Sequence, residues 1–199
     1  MQHASNTTYG SRYYDNIGKK TDRYGFAGFV SDWAEGRVRS QVELQARQVA
    51  YSIVGTDNDQ TKLAVDDRLF FLNPKVGIDW LMSPESRFFG SIAQGNREPV
   101  RTDYIDRVAG SQPLPESMTD WELGWEHDGA NWSLQAVAFY MDYRNQLVLT
   151  GALNDTGSPI QQNVDRSHRA GVEWMSAWHP KDGLSWQGTA TGSVNRIES

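Results

Sequence analysis

The sequence contains no cysteine. A disulfide framework, a thiolate metal site and a cysteine nucleophile are therefore all excluded. It also lacks any apolar run near the roughly 20 residues that a transmembrane helix needs. Positive charge is scarce: 19 Lys and Arg against 25 Asp and Glu leave a net charge of −6, which argues against a nucleic-acid partner. Residues 1–20 carry no cationic segment followed by an apolar one, so no signal peptide is read there. A mature exported protein and a fragment both fit that. Only seven of 199 residues are proline, whereas 18 are glycine, the balance expected of many strands joined by turns. Eight Trp, eight Tyr and seven Phe are many for a chain of mean hydropathy −0.63. A low mean excludes membrane helices but not a membrane barrel, whose strands alternate apolar with polar and average out.

The dominant period is two. From Arg37 to Ile53, Val38, Val42, Leu44, Ala46 and Ala50 share one face, and Arg39, Gln41, Glu43, Gln45 and Arg47 share the other. Trp121, Leu123 and Trp125 oppose Asp120, Glu122 and Glu126. Trp132, Leu134, Ala136, Ala138 and Tyr140 fall together. Ala170, Val172, Trp174 and Trp178 oppose Arg169 and Glu173, and Leu184, Trp186, Ala190 and Val194 oppose Ser185, Gln187, Thr189, Thr191, Ser193 and Asn195. No segment shows a 3.6-residue period. The pattern predicts an all-β antiparallel up-and-down meander of about eight long strands, near 23–33, 37–54, 69–82, 87–96, 118–127, 131–149, 164–178 and 184–197.

The connections discriminate between all-β folds. Glu35-Gly36, Ser83 to Ser86, His127 to Ala130 and Pro180 to Gly183 read as short turns, two of them with Asp-Gly. The others, near 55–68, 97–117 and 150–163, read as long loops. Strict alternation of short and long is the layout of an outer-membrane barrel. Greek-key sandwiches mix loop lengths. Several Trp sit beside the short turns and Tyr140 and Tyr143 lie toward a long loop, as interfacial girdles require. The stretch FYMDYRNQLVLTG, residues 139–151, reads as a strand leaving the bilayer for a surface loop. The competing reading is a soluble binding module, an adhesin or carbohydrate-binding sandwich. It requires Val38, Val42 and Leu44 to pack against a second sheet.

No catalytic constellation is present. His3, His127, His168 and His179 are scattered without metal-ligand spacing, and no G-x-S-x-G elbow occurs. Asp57, Asp59, Asp66 and Asp67 form an acidic stretch that does not match an EF-hand loop. Asn154-Asp155 with Gly157 reads as a turn, and Tyr143 to Gln146 as a strand exit. The best binding candidate is GNREPVRTDYID, from Gly95 to Asp106. Arg97 and Arg101 could grip an anionic chelate, with Glu98 and Asp103 nearby and Tyr104 placed to stack on an aromatic group. The more common outcome for such a cluster is mutual pairing that shapes the wall. No cofactor and no bound metal are expected.

LFFLNPKVGIDW (69–80), IAQGNREPVRTDYID (92–106), ESMTDWELGWE (116–126), FYMDYRNQLVLTGALNDTG (139–157), NVDRSHRAGVEW (163–174) and TATGSVNRI (189–197), with the earlier NIGKKTDRYGF and VELQARQVAYSIVG, resemble the C-terminal half of the barrel of TonB-dependent outer-membrane receptors. The Bacteroidetes-type siderophore or haem receptors are the nearest in flavour. The resemblance implies part of a barrel of about 22 strands with a plugged lumen. Residues 1–199 would then be a partial barrel domain without the plug, a TonB-box segment or the final strands. It further implies contact with outer-membrane lipid, partnership with TonB through the missing plug, and a small-molecule substrate. That substrate would be a ferric siderophore or haem, with cobalamin and oligosaccharide also open.

Overall fold

A computed structural model describes residues 15–57, 62–105, 111–153 and 157–198. Eight strands account for most of them: β1 (Asp15–Trp33), β2 (Val38–Thr56), β3 (Lys62–Ser83), β4 (Ser86–Arg97), β5 (Glu116–Asp128), β6 (Trp132–Leu153), β7 (Pro159–Lys181) and β8 (Leu184–Glu198). Each pairs antiparallel with the next, giving one sheet in the order β1 to β8 with β1 and β8 at its edges. One five-residue helix, α1 (Arg101–Ile105), lies between β4 and β5.

The meander and the short turns are as the alternation predicts. The strand ends are not. β2 runs to Thr56 and β3 begins at Lys62, and β6 runs to Leu153 before β7 begins at Pro159, so two of the three expected long loops are mostly paired strand. FYMDYRNQLVLTG accordingly stays within β6 throughout. Beyond the bilayer both faces of a hairpin meet water, so polarity stops alternating while the hydrogen-bond ladder continues. The period therefore vanishes before the strand does. Among the connections between described strands only β4–β5 is long, and its described part up to Ile105 folds back on the sheet. His3, Asp59, Asn154, Asp155 and Asp106 lie outside the described residues.

Register decides the faces. Opposite residues in an antiparallel pair share a face. The pairs Arg39↔Asp79, Asp79↔Phe89, Phe89↔Gly124, Gly124↔Val137, Val137↔Glu173 and Glu173↔Thr191 trace one face across the sheet. All eight Trp lie on the other, as do Phe70, Leu72, Pro74, Val76, Ile78, Trp80 and Met82 at every second position of β3. This apolar face is the outer one. Val42 and Leu44 are about half exposed on it (50% and 46%), with no second sheet among the described residues, which removes the sandwich reading. From Phe70 to Trp80 the strand rises about 33 Å, or about 25 Å along the normal at a tilt near 40°, the height of a lipid-facing apolar band. Arg68 ends the band on β3, and Asp142, His168 and Arg196 end it on the far strands.

The inner face carries the charge, in pairs across strands. Arg39 binds Asp32 (2.7 Å), Arg47 binds Asp22 (2.5 Å), and Arg87 binds Glu126 (2.6 Å) and Asp79 (3.3 Å). Between these pairs, aromatic rings lie over glycines on the next strand. A Cβ at Gly124 would stand 2.1 Å from the Phe89 ring, and one at Gly171 would stand 2.6 Å from that of Phe139. Such rings cover the backbone that the glycine leaves bare. Gly90, on the outer face, meets nothing closer than 3.5 Å. Gly124→Val should therefore lower stability by about 1–3 kcal/mol, read as a lower urea midpoint in tryptophan emission, while Gly90→Ala leaves the midpoint in place.

Candidate functional site

Beyond Arg47 the inner face of β2 changes character, because Val49, Tyr51 and Ile53 follow at the same alternate positions. Leu63 and Val65 lie opposite on β3. This apolar patch has no place in a wet lumen unless something covers it. The β4–β5 connection does so. Pro99 ends β4's continuation, α1 turns inward, and Tyr104 seats its ring against Ile53 and Leu63, with Tyr51, Val65 and Ile105 packed around. Tyr104 is 2% exposed and Ile53 fully buried. Tyr51 and Tyr104 stack at 5.4 Å between ring centroids.

Polar contacts hold the segment on both sides of that anchor. The Tyr104 hydroxyl donates to Asp67 Oδ2 at 2.5 Å. Burial, then this bond to a carboxylate, push the phenol above its ordinary 10, so it stays a neutral donor. Glu98 accepts from Lys20 Nζ (2.5 Å) and from both terminal nitrogens of Arg47 (2.8 Å each). Arg47 thus clamps Asp22 with one edge and Glu98 with the other. Burial alone would raise the Glu98 carboxyl, but the bonds from Lys20 and Arg47 outweigh it and hold the group below its ordinary 4.5. Asp103, also 2% exposed and the third residue of α1, reaches back to accept from the Val100 N–H at 2.7 Å and so closes the first turn.

The five predicted site residues are therefore close together, but not all turned to solvent. Glu98, Asp103 and Tyr104 are buried and fully engaged by the chain itself. Arg101 donates to Asn16 Oδ1 (2.6 Å). Arg97 is half exposed, paired with Glu116 (3.1 Å) and 3.9 Å from Asp103. Asn16, Lys20, Asp22, Tyr51 and Asp67 complete the arrangement. They lie more than 30 residues away in sequence from the segment they hold, so no local motif could have joined them. The one available signal was the alternation that placed Arg47 on the polar face. Of the acidic stretch, Asp67 serves as the Tyr104 acceptor and also receives Gln112 Nε2 at 3.3 Å. Asp66 falls on the opposite face of β3. Among the described residues no cluster of three or more potential metal ligands occurs.

Glu98 has a lowered pKa in the folded state, so its contribution is present above pH 4.5 and is lost as pH falls through the lowered value. Protection factors of the Arg101–Ile105 amides, which divide out the slower intrinsic exchange in acid, should fall as pH drops below 4.5 through that lowered value. Glu98→Gln should bring the same loss of protection at neutral pH, costing the segment about 1–3 kcal/mol. Unchanged exchange in that variant would mean that Tyr104 alone holds the turn.

The model of the TonB dependent receptor-like β-barrel family matches residues 2–197. The pesticin receptor of Yersinia enterocolitica is 24% identical over 189 residues, covering 94% of this chain and 25% of that protein. Among solved structures, the copper transporter OprC superposes with a TM-score of 0.77 at 12% identity, over 90% of this chain and 29% of that one. The ferric yersiniabactin uptake receptor FyuA of Yersinia pestis gives 0.67 at 16% identity, over 94% and 29%. The chain spans about a quarter of the length of the curated relatives it matches. With the family model running almost end to end over a meander whose faces and register suit a membrane wall, the chain belongs to the TonB-dependent receptor β-barrel family.

Proposed function

We propose that the chain forms eight wall strands of a larger outer-membrane barrel, of about 22 strands, that takes up a scarce nutrient in a TonB-dependent manner. The observation that carries this is the pairing of an apolar outer band about 25 Å high with an inner face of cross-strand ion pairs. Both edges of the sheet are open, and in the complete receptor further strands would pair with β1 and β8. The plug and the TonB-contacting segment would belong to the rest of the receptor. An iron chelate, a ferric siderophore or haem, is the substrate class we favour. The wall and its loops bind and admit it without a chemical step.

Within this wall, the inward-turned segment is the substrate-facing candidate. Glu98, Asp103 and Tyr104 would position it, leaving Arg97 and Arg101 to meet an anionic chelate. Arg97 is the more available, because its side chain is 53% exposed.

Two measurements on the full-length receptor test this. Single cysteines at Val42, Leu153 and Asp182 should respond differently to an impermeant thiol reagent on whole cells. Leu153→Cys, at the far hairpin end, should label. Val42→Cys in the apolar band and Asp182→Cys in a short turn should stay silent. Equal labelling of Leu153→Cys and Asp182→Cys would overturn the outer-membrane topology. Arg97→Gln should weaken chelate binding by about tenfold or less, the range for one exposed charge-assisted contact. An unchanged affinity would assign the segment to the wall alone.

A further inference from the structure

The upper part of β6 is joined to the wall differently from the lower part. The β5–β6 ladder stops at Ser117↔Arg144. β6 nevertheless runs on to Leu153, paired with β7 from Gln146↔Val164 to Leu149↔Gln161 and again at Leu153↔Pro159. The break falls at Asn145, whose φ is 53°. That is left-handed backbone, which Asn tolerates better than most residues but which a strand interior rarely holds. Ala34 and Glu35, the other non-glycine positions of positive φ among the described residues, sit in a short turn instead. The kink changes the facing. Below it, Tyr143 lies opposite Ser167. Above it, Gln146 reaches the same residue, and the Ser167 hydroxyl donates to Gln146 Oε1 at 2.6 Å.

Above Asn145, two side chains take over from the backbone ladder. Asn163 on β7 accepts from the Leu114 N–H at 2.8 Å, and its amide donates to the Leu114 and Asn145 carbonyls at 3.1 and 2.6 Å. Glu116, the first residue of β5, accepts from the Leu147 N–H through Oε1. Arg97 grips the same carboxylate from its other side. Its Nη2 donates to Oε1 at 3.2 Å and its Nε lies 3.1 Å from Oε2. The Glu116 side chain is only 15% exposed, against 53% for Arg97. A largely buried carboxylate keeps its place while a cation neutralises it, and turns toward water when that cation leaves. The bond from Leu147 goes with it. The hairpin above Asn145 therefore hangs in part on a charge pair that Arg97 completes.

We propose that Glu116 is a latch shared by Arg97 and the β6–β7 hairpin. An anion that draws Arg97 away releases Glu116 from Leu147 and frees the hairpin to move about Asn145. The trigger rests on the reading of Arg97 given above, as the residue that meets an anionic chelate. Such coupling is reciprocal. A hairpin held out of place from outside leaves Arg97 more available to the anion.

The test is amide hydrogen exchange of the full-length receptor, read as protection at Leu147 and, as an internal reference, at residues 137–139 lower in β6. Arg97→Gln should lower protection at Leu147 about tenfold or more, the scale of one hydrogen bond to a charged group, and leave the reference unchanged. Glu116→Ala, which removes the acceptor, should do the same. The double variant should lose no more than Glu116→Ala alone, since both changes break one unit. Unchanged protection at Leu147 in Arg97→Gln, or additive losses in the double variant, would overturn the latch. A loss that spreads equally to residues 137–139 would overturn the pivot at Asn145. Lost protection at Leu147 in Arg97→Gln with an unaltered chelate affinity would overturn the reading of Arg97 as substrate-facing, and the anion trigger with it, while the coupling of Arg97 to the hairpin stands.

Discussion

A backbone hydrogen-bond ladder shared by all eight strands is the constraint on which this structure depends. In hydrocarbon an unpaired N–H or C=O has no water to turn to, so a spanning sheet must pair every strand with its neighbour. The ladder running from β1 to β8 links every neighbour, with register shifts at Leu81–Ser83, Leu149–Leu153 and Trp178–Lys181, and between β3 and β4 it runs from Ser83 up to Lys75↔Ala93. All three shifts lie next to hairpin ends, where water is available. The short turns reinforce one another: Asp128 donates to Glu85 across one gap and His179 to Asn131 across the next. The last pairs of neighbouring hairpins are thereby tied at the same level.

Once the ladder exists, each strand has only two directions in which to point side chains, and the medium sorts them. A guanidinium at the midplane of the lipid face would cost about 2–4 kcal/mol. On the inner face the same group finds a carboxylate on the adjoining strand. Arg39, Arg47 and Arg87 all do so, and Arg47 holds two. Exposed ion pairs of this type add little to stability one by one. Their effect here is on register, since a slip of one residue would carry each charge into lipid.

The inward segment uses the same resources at the top of the wall. Tyr104 stands over a patch that alternation alone would have made wet, and Glu98 closes a charge cluster supplied by β1 and β2. A loop held by one buried ring and one ion cluster can be released by loosening either. The outer face shows the complementary economy: its apolar band gives way, past the Trp121 and Tyr140 rings, to charged positions on β6, β7 and β8.

The period-two pattern by itself determined the strand class, the meander, the short turns and, for Arg39 to Arg47 or Trp121 to Glu126, which residue faces which way. It could do so because lipid and lumen impose opposite polarities on neighbours in sequence. Where water lies on both faces, as at Leu149 to Leu153 and at Pro159 to Gln161, that contrast disappears, and only the paired backbone shows that β6 and β7 continue. The candidate residues Arg97 to Tyr104 were legible as a cluster, since they are consecutive. Their partners were not. Lys20, Arg47, Tyr51 and Asp67 meet them because hairpin register brings β1, β2 and β3 to one height and α1 turns inward onto them. That meeting is set by distances across strands, which spacing along the chain does not encode. Tertiary structure alone therefore decided that Glu98, Asp103 and Tyr104 are buried anchors and that Arg97 remains exposed.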